Sequence, residues 1–396
     1  MKNMKEKRGI TLIALAVTII VILILAGVTI DAVFSENGII NKAKEAANSM
    51  NNAVANDQAE LNDLLEELNE IMNLEWNSNI IIPDPGEDEE SIKDIIDTGK
   101  IFEETSEIED DYGNIVKIPE GFKLAEDSGV NVEEGIVIED ATSTADNRKG
   151  SQFVWIPCGN YNTSKGEKTN NLSRRTFTTT ASVEVNGDSV IENEYLGEGS
   201  VGSILYSESD SKYKIDYFKE SVGNAGGFYV ARYEAGGTSG LITSKKGQTV
   251  FTGKRDLAYQ QAKLMYNGNN IVISALINSY AYDTVCNFIC QNSEYGYTLA
   301  TTTNNIYGNI DNSGNYLTTG SYKVNEKESD CYGKIYDMLG NYWEWTTEHT
   351  NNSKFNWVLR GGCAGSNSGG LVNRGYRNNA SGSHGATTFR TILYFQ

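Results

Sequence analysis

Cysteine and histidine, the side chains best suited to nucleophilic catalysis or transition-metal binding, are scarce in this sequence. There are five cysteines and two histidines, His349 and His384, in 396 residues. No two cysteines form a CxxC pair, and Cys286 and Cys290, four residues apart, are best interpreted as packed core thiols. Two histidines are too few for a histidine-rich metal centre, so His384 is expected on a solvated or binding surface. The sequence also lacks a GxSxG, phosphate-loop or HExxH motif.

Acidic residues set the overall charge. The chain has 53 acids against 33 lysines and arginines, a net charge of -20, which argues against nucleic-acid binding because that requires a concentrated basic surface. Thirty-nine glycines, 22 tyrosines and only four prolines indicate a loop-rich fold rather than a helical bundle. The length allows two or more structural units.

Much of this acid lies in residues 76–117, which include the runs "PDPGEDEESIKD" and "FEETSEIEDDYG". Prolines, a glycine and like charges favour an extended, self-repelling linker. A calcium site in "EIEDD" is the alternative, but the run lacks the ligand spacing of known acidic calcium loops.

The N-terminus has the pattern of a membrane anchor. Residues 1–9, "MKNMKEKRG", are basic, and residues 10–30 contain no charge. As a helix the apolar segment would be about 31 Å long, enough to cross a bilayer, and the flanking charges place the body outside the cell. Residues 31–75 are predicted to form a stalk helix, with an apolar heptad seam in which Asp57 is the one polar member.

The stretch "KRGITLIAL" resembles a class III prepilin signal. The resemblance implies cleavage between Gly9 and Ile10 by a prepilin peptidase, methylation of the new N-terminus, and contacts with other pilin subunits. Pilins usually have glutamate at the fifth mature position, where this chain has Ala14. We therefore expect a minor or tip pilin, or a membrane-held pilin-like protein. An uncleaved anchor is the alternative.

From residue 118 the pattern changes to short β-like runs separated by Gly- and Asn-rich turns, such as "GIVIED", "SQFVWIP" and "GGFYVARYEAG". Amphipathic helices are predicted at "RDLAYQQAKLMYN" and "YAYDTVCNFICQ". The predicted fold class is therefore α+β, with an N-terminal transmembrane, pilin-like helix and stalk followed by an irregular domain over residues 118–396.

Four runs in this domain, "FYVARYEAG", "YDMLGNYWEWTTE", "VLRGGCAGS" and "TTFRTILY", resemble in order the signatures of the formylglycine-generating-enzyme and sulfatase-modifying-factor family. The resemblance implies a variant of the C-type lectin fold. Alternation along a strand places Trp343 and Trp345 on one face, as core anchors, and Glu344 on the other. Arg360 is expected to pair with a buried acid such as Glu344 or Asp337. The predicted framework residues are Trp343, Glu344, Trp345, Arg360, Gly361, Gly362, Phe389 and Arg390.

Enzymes of this family that oxidise a substrate cysteine hold copper with two cysteines just after the "RGG" motif. In this chain the corresponding positions fall near Ser366 and Leu371, and Cys363 supplies a single thiol. The resemblance therefore implies a protein without the catalytic cysteine pair, so neither enzyme activity nor a cofactor is predicted. A redox enzyme is the alternative, and it would contain stoichiometric copper.

The C-terminal segment, residues 355–396, contains no Asp, Glu or Lys. Residues 363–388 are built from the small, polar and aromatic types that favour adaptable recognition surfaces. This predicts a face that contacts a protein or glycan ligand outside the cell.

C-type-lectin domains that end this way resemble the variable proteins of diversity-generating retroelements. Randomised asparagine codons yield no Lys, Glu, Gln, Met or Trp, and residues 363–388 contain none of these. The predicted diversified contacts are Ala364, Ser366, Asn367, Ser368, Leu371, Asn373, Arg374, Tyr376, Asn378, Asn379, Ser381, His384 and Ala386. The alternatives are a loop that is not diversified and a structural minor or tip pilin.

Overall fold

The structure is a computed structural model. It describes residues 90–143, 148–185, 208–302, 307–309, 314–321, 331–349, 357–365, 370–377 and 385–396. The chain divides into two compact units, Met1–Glu87 and Asp88–Gln396. The predicted leader, membrane helix and stalk helix, including Gly9 and Ile10, lie outside the described residues.

The described part of the second unit contains five α-helices, one 3-10 helix (Glu208–Tyr213) and twenty strands. The α-helices are α1 (Ile92–Thr98), α2 (Ile215–Ala225), α3 (Arg255–Leu264), α4 (Ser279–Asn292) and α5 (Thr298–Thr301). The strands are β1 (Ser106–Glu109), β2 (Ile115–Ile118), β3 (Phe122–Leu124), β4 (Val137–Asp140), β5 (Gln152–Pro157), β6 (Gly159–Thr163), β7 (Gly166–Asn170), β8 (Arg174–Phe177), β9 (Ser182–Val185), β10 (Gly227–Ala231), β11 (Gly236–Thr238), β12 (Leu241–Thr243), β13 (Val272–Leu276), β14 (Cys331–Tyr332), β15 (Ile335–Tyr336), β16 (Trp343–His349), β17 (Trp357–Arg360), β18 (Arg374–Arg377), β19 (Thr387–Phe389) and β20 (Thr391–Phe395).

The larger sheet has six strands in the order β13-β20-β10-β5-β4-β3, with antiparallel neighbours. Its central strands are continuous apolar runs, such as "GFYVA" in β10, and they are buried on both faces. Helix α2 covers part of the sheet. Phe218 on this helix makes edge contacts with Phe228 on β10 and Tyr394 on β20, at ring-centroid distances of 5.5 and 5.1 Å.

The smaller sheet contains three of the four strands of the C-terminal segment and has the order β18-β17-β16-β19. Strand β16 pairs antiparallel with β17 and parallel with β19, so residues distant in sequence meet at its centre. Trp343, Trp345, Leu359 and Phe389 contribute to one buried apolar cluster on this sheet. The indole Nε1 of Trp345 donates to the Gly253 carbonyl at 2.9 Å, so its polar atom is satisfied.

The predicted fold class is wrong. The described chain is mostly sheet with few helices, because short β-branched and aromatic runs between glycine turns favour strands. Helix α4, with 14 residues, is the longest of these helices. Among the helices of the described chain, none is long and apolar enough to cross a membrane. This finding also stands against the predicted membrane-anchored, pilin-like character, although residues 10–30 themselves are not described.

The prediction of an extended linker over residues 76–117 is also wrong for the part of it that the structure describes. Helix α1 and strands β1 and β2 form there, because apolar residues recur between the acids. Ile92, Ile95 and Phe102 are buried in the main core. Ser91 caps α1 by accepting a hydrogen bond from the Asp94 amide at 3.2 Å.

The "EIEDD" run ends in the turn between β1 and β2, where Asp110 is buried. Its carboxylate accepts hydrogen bonds from the backbone amides of Tyr112, Asn114 and Val132, at 2.9, 2.9 and 2.8 Å. The described residues contain no group of acids, histidines and cysteines that could hold a metal ion. Asp110 therefore organises the turn.

Candidate functional site

Two buried groups of charged side chains surround the strands of the C-terminal segment. The first, the arginine cluster, consists of five residues from β8, α4, β16, β17 and β18, and its members are Arg174, Asp283, Glu348, Arg360 and Arg374. Its side chains are from 0 to 8% exposed. Because buried charges require partners, these contacts fix the position of the strands that bear them.

Arg360 lies at the centre of this cluster. Its Nη2 is 2.5 Å from Asp283 Oδ1 and its Nη1 is 3.0 Å from Glu348 Oε2. The guanidinium also lies 4.3 Å from the ring centroid of Tyr282. Burial and the neighbouring Arg374 lower the pKa of Arg360, but the two carboxylates outweigh them and the pKa is raised. Arg360 is therefore a permanent cation in the core.

The arginine cluster has one more base than acid. Arg374 reaches both acids, with Nη2 at 2.8 Å from Asp283 and Nε at 2.9 Å from Glu348. Arg174 donates from Nη2 to Glu348 at 3.2 Å, whereas its Nε and Nη1 have no hydrogen-bond partner among the described residues. Asp283 and Glu348 are therefore shared by three guanidinium groups, and one positive charge remains in excess.

The second group, the acid cluster, consists of Glu234, Asp337, Glu344 and Arg390. Arg390 donates from Nε and Nη2 to Glu344 Oε1, at 3.0 and 2.6 Å. It also donates to the carbonyls of Ala231 and Tyr336, at 2.8 and 2.7 Å. One guanidinium therefore joins β10, the β15 region and β16 to the start of β20.

Three acids surround this single guanidinium. Burial, followed by the charges of Asp337 and Glu344, raises the pKa of Glu234 well above its ordinary value. Burial also raises the pKa of Glu344, although Arg390 opposes that shift. Glu234 accepts hydrogen bonds from Asn341 Nδ2 and the Tyr342 amide, at 2.6 and 3.0 Å. These two donors favour the charged form of Glu234, but burial and the neighbouring acids outweigh them, so the pKa remains raised.

The expected partner of Arg360 is wrong. Sequence reasoning paired it with Glu344 or Asp337, but its partners are Asp283 and Glu348. Arg360 and Glu344 are opposite each other in the register of β16 and β17, but the Glu344 carboxylate forms its ion pair with Arg390. Arg360 therefore reaches toward α4 and the far end of β16.

The glycines after Arg360 form a tight corner. Gly361 and Gly362 have φ values of 86° and 91°, a region that side chains other than glycine rarely adopt. A Cβ atom on Gly361 would also lie 3.0 Å from the Met338 carbonyl. The corner turns the chain from β17 into residues 363–373.

Several predicted contact residues belong to the framework instead. Ala364 and Leu371 are fully buried, so a ligand at the surface does not reach their side chains. Arg374 is a member of the arginine cluster. Asn373 and Ala386 are half-buried, and Ala386 packs against the apolar cluster of the smaller sheet. The burial of Ala364, Leu371 and Arg374 is not visible in residue type, because the same types occur both at tight packing sites and on binding surfaces.

The other predicted contacts lie in or next to undescribed segments. Tyr376 is in β18, where the structure describes its backbone only. The predicted contacts outside the described residues are Ser366, Asn367, Ser368, Asn378, Asn379, Ser381 and His384. They fall in residues 366–369 and 378–384, which connect β17 to β18 and β18 to β19.

The structure adds two residues that sequence reasoning missed. The rings of Tyr316 and Tyr342 are 4.5 Å apart, and both side chains are half-buried. The Tyr316 hydroxyl donates to Cys363 Sγ at 3.7 Å. Tyr342 is part of "GNYWEW", but Tyr316 lies in a stretch without a motif, so nothing in the sequence signalled their contact. They border the beginning of the segment that includes residues 366–369.

Replacing Arg374 with alanine is expected to lower the free energy of unfolding by about 2–4 kcal/mol, because two buried acids each lose a hydrogen-bond donor and a cavity is left, although the remaining charges balance. A residue that only contacts ligand would show no such effect. Urea denaturation followed by fluorescence measures the difference. Replacing the exposed Lys165 with alanine is the control and should leave the midpoint unchanged. If the Arg374→Ala variant is as stable as the parent, Arg374 does not hold the framework and the prediction that it contacts ligand would stand.

Comparison with known proteins does not assign this chain to a family. No family model matches it. No curated protein matches it. A solved structure titled "Crystal Structure of CarF" is similar at 15% sequence identity, over 50% of this chain and 96% of that one, with a TM-score of 0.32. Similarity at that TM-score supports no argument about fold or function.

Proposed function

We propose that this protein is a non-catalytic binding protein, and that residues 366–369 and 376–384 provide the side chains that contact its ligand. The observation that supports the proposal most directly is the division of residues 355–396 into two kinds of position. Strand and corner residues such as Arg360, Arg374 and Arg390 have buried partners, whereas residues 366–369 and 378–384, between the strands, are built from Gly, Ser, Asn, Ala and His. Recognition sites are commonly built on loops that a rigid scaffold supports.

The buried ion pairs explain how such loops could vary without loss of the fold. Each connection begins and ends at a residue next to a fixed strand: β17, β18 or β19. Substitutions between these anchors leave the charge partners of Asp283, Glu348 and Glu344 in place. The contact set that we propose is accordingly smaller than residues 363–388, since it omits Ala364, Leu371 and Arg374 and retains the positions in the connections.

The absence of enzyme activity is part of the proposal. In the family that the motifs resemble, a pair of cysteines follows the "RGG" run. Near the corresponding places this chain has Ser366 and Leu371, neither of which has a thiol to bind copper, and Leu371 is buried. The thiol of Cys363 is buried beside Tyr316. We propose a protein or glycan ligand.

Diversification of the loops is proposed on the codon argument alone. Sequencing the DNA downstream of the gene tests it. A near-identical repeat that differs mainly at adenines, beside a reverse-transcriptase gene, is the expected finding. If that repeat is missing, the loops are not diversified in this way, and the binding function is tested separately.

Binding is tested by screening the full-length chain on glycan and protein arrays and measuring the affinity of each hit. Residues 378–384 are then replaced by an equally long Gly-Ser sequence. We expect the affinity to fall at least about tenfold, which is the effect of removing roughly one well-buried contact residue from an interface. The control is the same replacement of residues 186–192, another undescribed connection. Equal affinity of the 378–384 variant and the parent, or no hit on either array, would contradict the proposal.

A further inference from the structure

A large groove lies far along the chain from the C-terminal loops. It has a volume of about 870 Å³ and lies between α1 and the hairpin of β1 and β2. Its lining comes entirely from residues 90–115. The volume is in the range of sites that hold a ligand of several hundred daltons or a short peptide segment.

The rim of the groove is acidic. Glu103, Glu104, Glu107 and Glu109 line it, and all four are exposed. Among the described residues none of these four forms an ion pair, whereas the single lysine of the lining, Lys100, is paired with Glu90 at 2.8 Å. Exposed carboxylates without an ion pair on one rim give that rim a negative potential, which attracts cationic groups.

The groove also offers apolar surface. Ile101 and Ile115 are 45 and 49% exposed and line it together with the buried side chains of Phe102 and Ile108. A bare metal ion or a simple polyamine would leave these surfaces in water. A peptide whose cationic residues alternate with apolar ones would cover them and reach the acids as well.

The shape of the site favours an extended chain. Strand β1 pairs with β2 in a two-stranded sheet, and within the described ranges no strand pairs with its other edge. An open edge can accept a peptide strand through backbone hydrogen bonds. Along β1, Glu107 and Glu109 are exposed and Ile108 between them is buried. Ile115 on β2 lies opposite Glu109 and therefore shares the face of these two acids.

We propose that this groove, the acidic groove, binds an extended peptide segment of a partner protein in which lysine or arginine alternates with apolar residues. The exposed carboxylates would pair with the bases, whose methylene stems would cover Ile115 on the same face, and Ile101 would contact the apolar side chains. Nucleic acid does not suit the groove because its phosphates would face the four glutamates. Asp110 does not take part in the charge pairing, since its carboxylate is satisfied by backbone amides.

The test uses the full-length chain and a fluorescein-labelled peptide of nine alternating lysines and leucines. Fluorescence anisotropy should show saturable binding that weakens as salt is raised, because exposed charge pairs are screened. A peptide of alternating glutamates and leucines should not bind. If the lysine peptide shows no saturable binding, or if the glutamate peptide binds equally well, the proposal is overturned.

Charge-neutralised variants locate the binding. The combined Glu103→Gln, Glu104→Gln and Glu107→Gln variant should bind the lysine peptide roughly tenfold more weakly, as expected for the loss of three exposed ion pairs. The matched control neutralises three exposed acids outside the groove: Glu167→Gln, Glu220→Gln and Glu294→Gln. Equal weakening in both variants would show that net charge alone attracts the peptide and would overturn the assignment to the groove.

A second variant tests the apolar contacts at constant charge. Ile101→Ser with Ile115→Ser should weaken binding of the lysine peptide at low and at high salt, because the lost contact is apolar and is not screened. Both side chains are about half exposed, so the fold should tolerate the change. Unchanged affinity at high salt would show that the peptide does not contact the isoleucines and would contradict the proposed binding mode.

Discussion

Replacing Arg390 with methionine is expected to lower the free energy of unfolding by about 3–5 kcal/mol, a large part of the 5–15 kcal/mol that typically stabilises a domain. The side chain is fully buried and donates to Glu344 and to the carbonyls of Ala231 and Tyr336. Methionine keeps the volume but removes every donor. Glu344 would then lie near Glu234 and Asp337 without its base. Chemical denaturation of the parent and the variant measures the effect.

The double variant Arg390→Met with Glu344→Gln separates charge from packing. Removing both charges of a buried pair costs less than removing one, so this variant should recover part of the lost stability. The Arg390→Lys variant keeps the charge but not the planar guanidinium that donates to Glu344 and two carbonyls. Its free energy of unfolding should therefore lie between those of the parent and the Arg390→Met variant. A single Arg390→Met variant within about 1 kcal/mol of the parent would contradict the assigned role of Arg390.

Features that depend on local pattern could be predicted from the sequence. The helices expected at "RDLAYQQAKLMYN" and "YAYDTVCNFICQ" correspond to α3 and α4. The alternation in "WEW" places Trp343 and Trp345 in one apolar cluster and Glu344 in the acid cluster. In both cases the spacing of residues within a few positions determines the outcome, and spacing is visible in a sequence.

Features that depend on pairing at long range could not be predicted. Arg360 had several buried acids as candidate partners, and only the packing of α4 beside β16 and β17 selects Asp283 and Glu348. The linker was predicted from the like charges and the prolines of residues 76–117, which do not show whether the segment packs on the core. The folded segment instead depends on a few apolar side chains, such as Ile95 and Phe102, that reach the core between the acids.

The C-terminal segment shows the same limit at the candidate site. Its composition is uniform, so residue type alone does not indicate that Ala364 and Leu371 are buried. Arg374 is the sharpest example, because arginine is common both in recognition surfaces and in buried ion pairs. Only the positions of Asp283 and Glu348 distinguish the two roles. The arginine cluster therefore shows which strands of the segment are fixed by buried ion pairs.

Replacing Asp283 with asparagine is expected to lower the free energy of unfolding by about 3–5 kcal/mol, because three buried arginines would share Glu348 alone. Asparagine has nearly the same shape, so the lost charge causes the effect. The double variant Asp283→Asn with Arg374→Gln should be more stable than the single variant. It leaves Arg174 and Arg360 with Glu348, so the excess positive charge returns to one, as in the parent. The exposed Asp97→Asn variant is the control and should denature at the parent's midpoint. If the single variant also keeps that midpoint, the arginine cluster does not hold the C-terminal strands, and the division into framework and contact loops loses its physical basis.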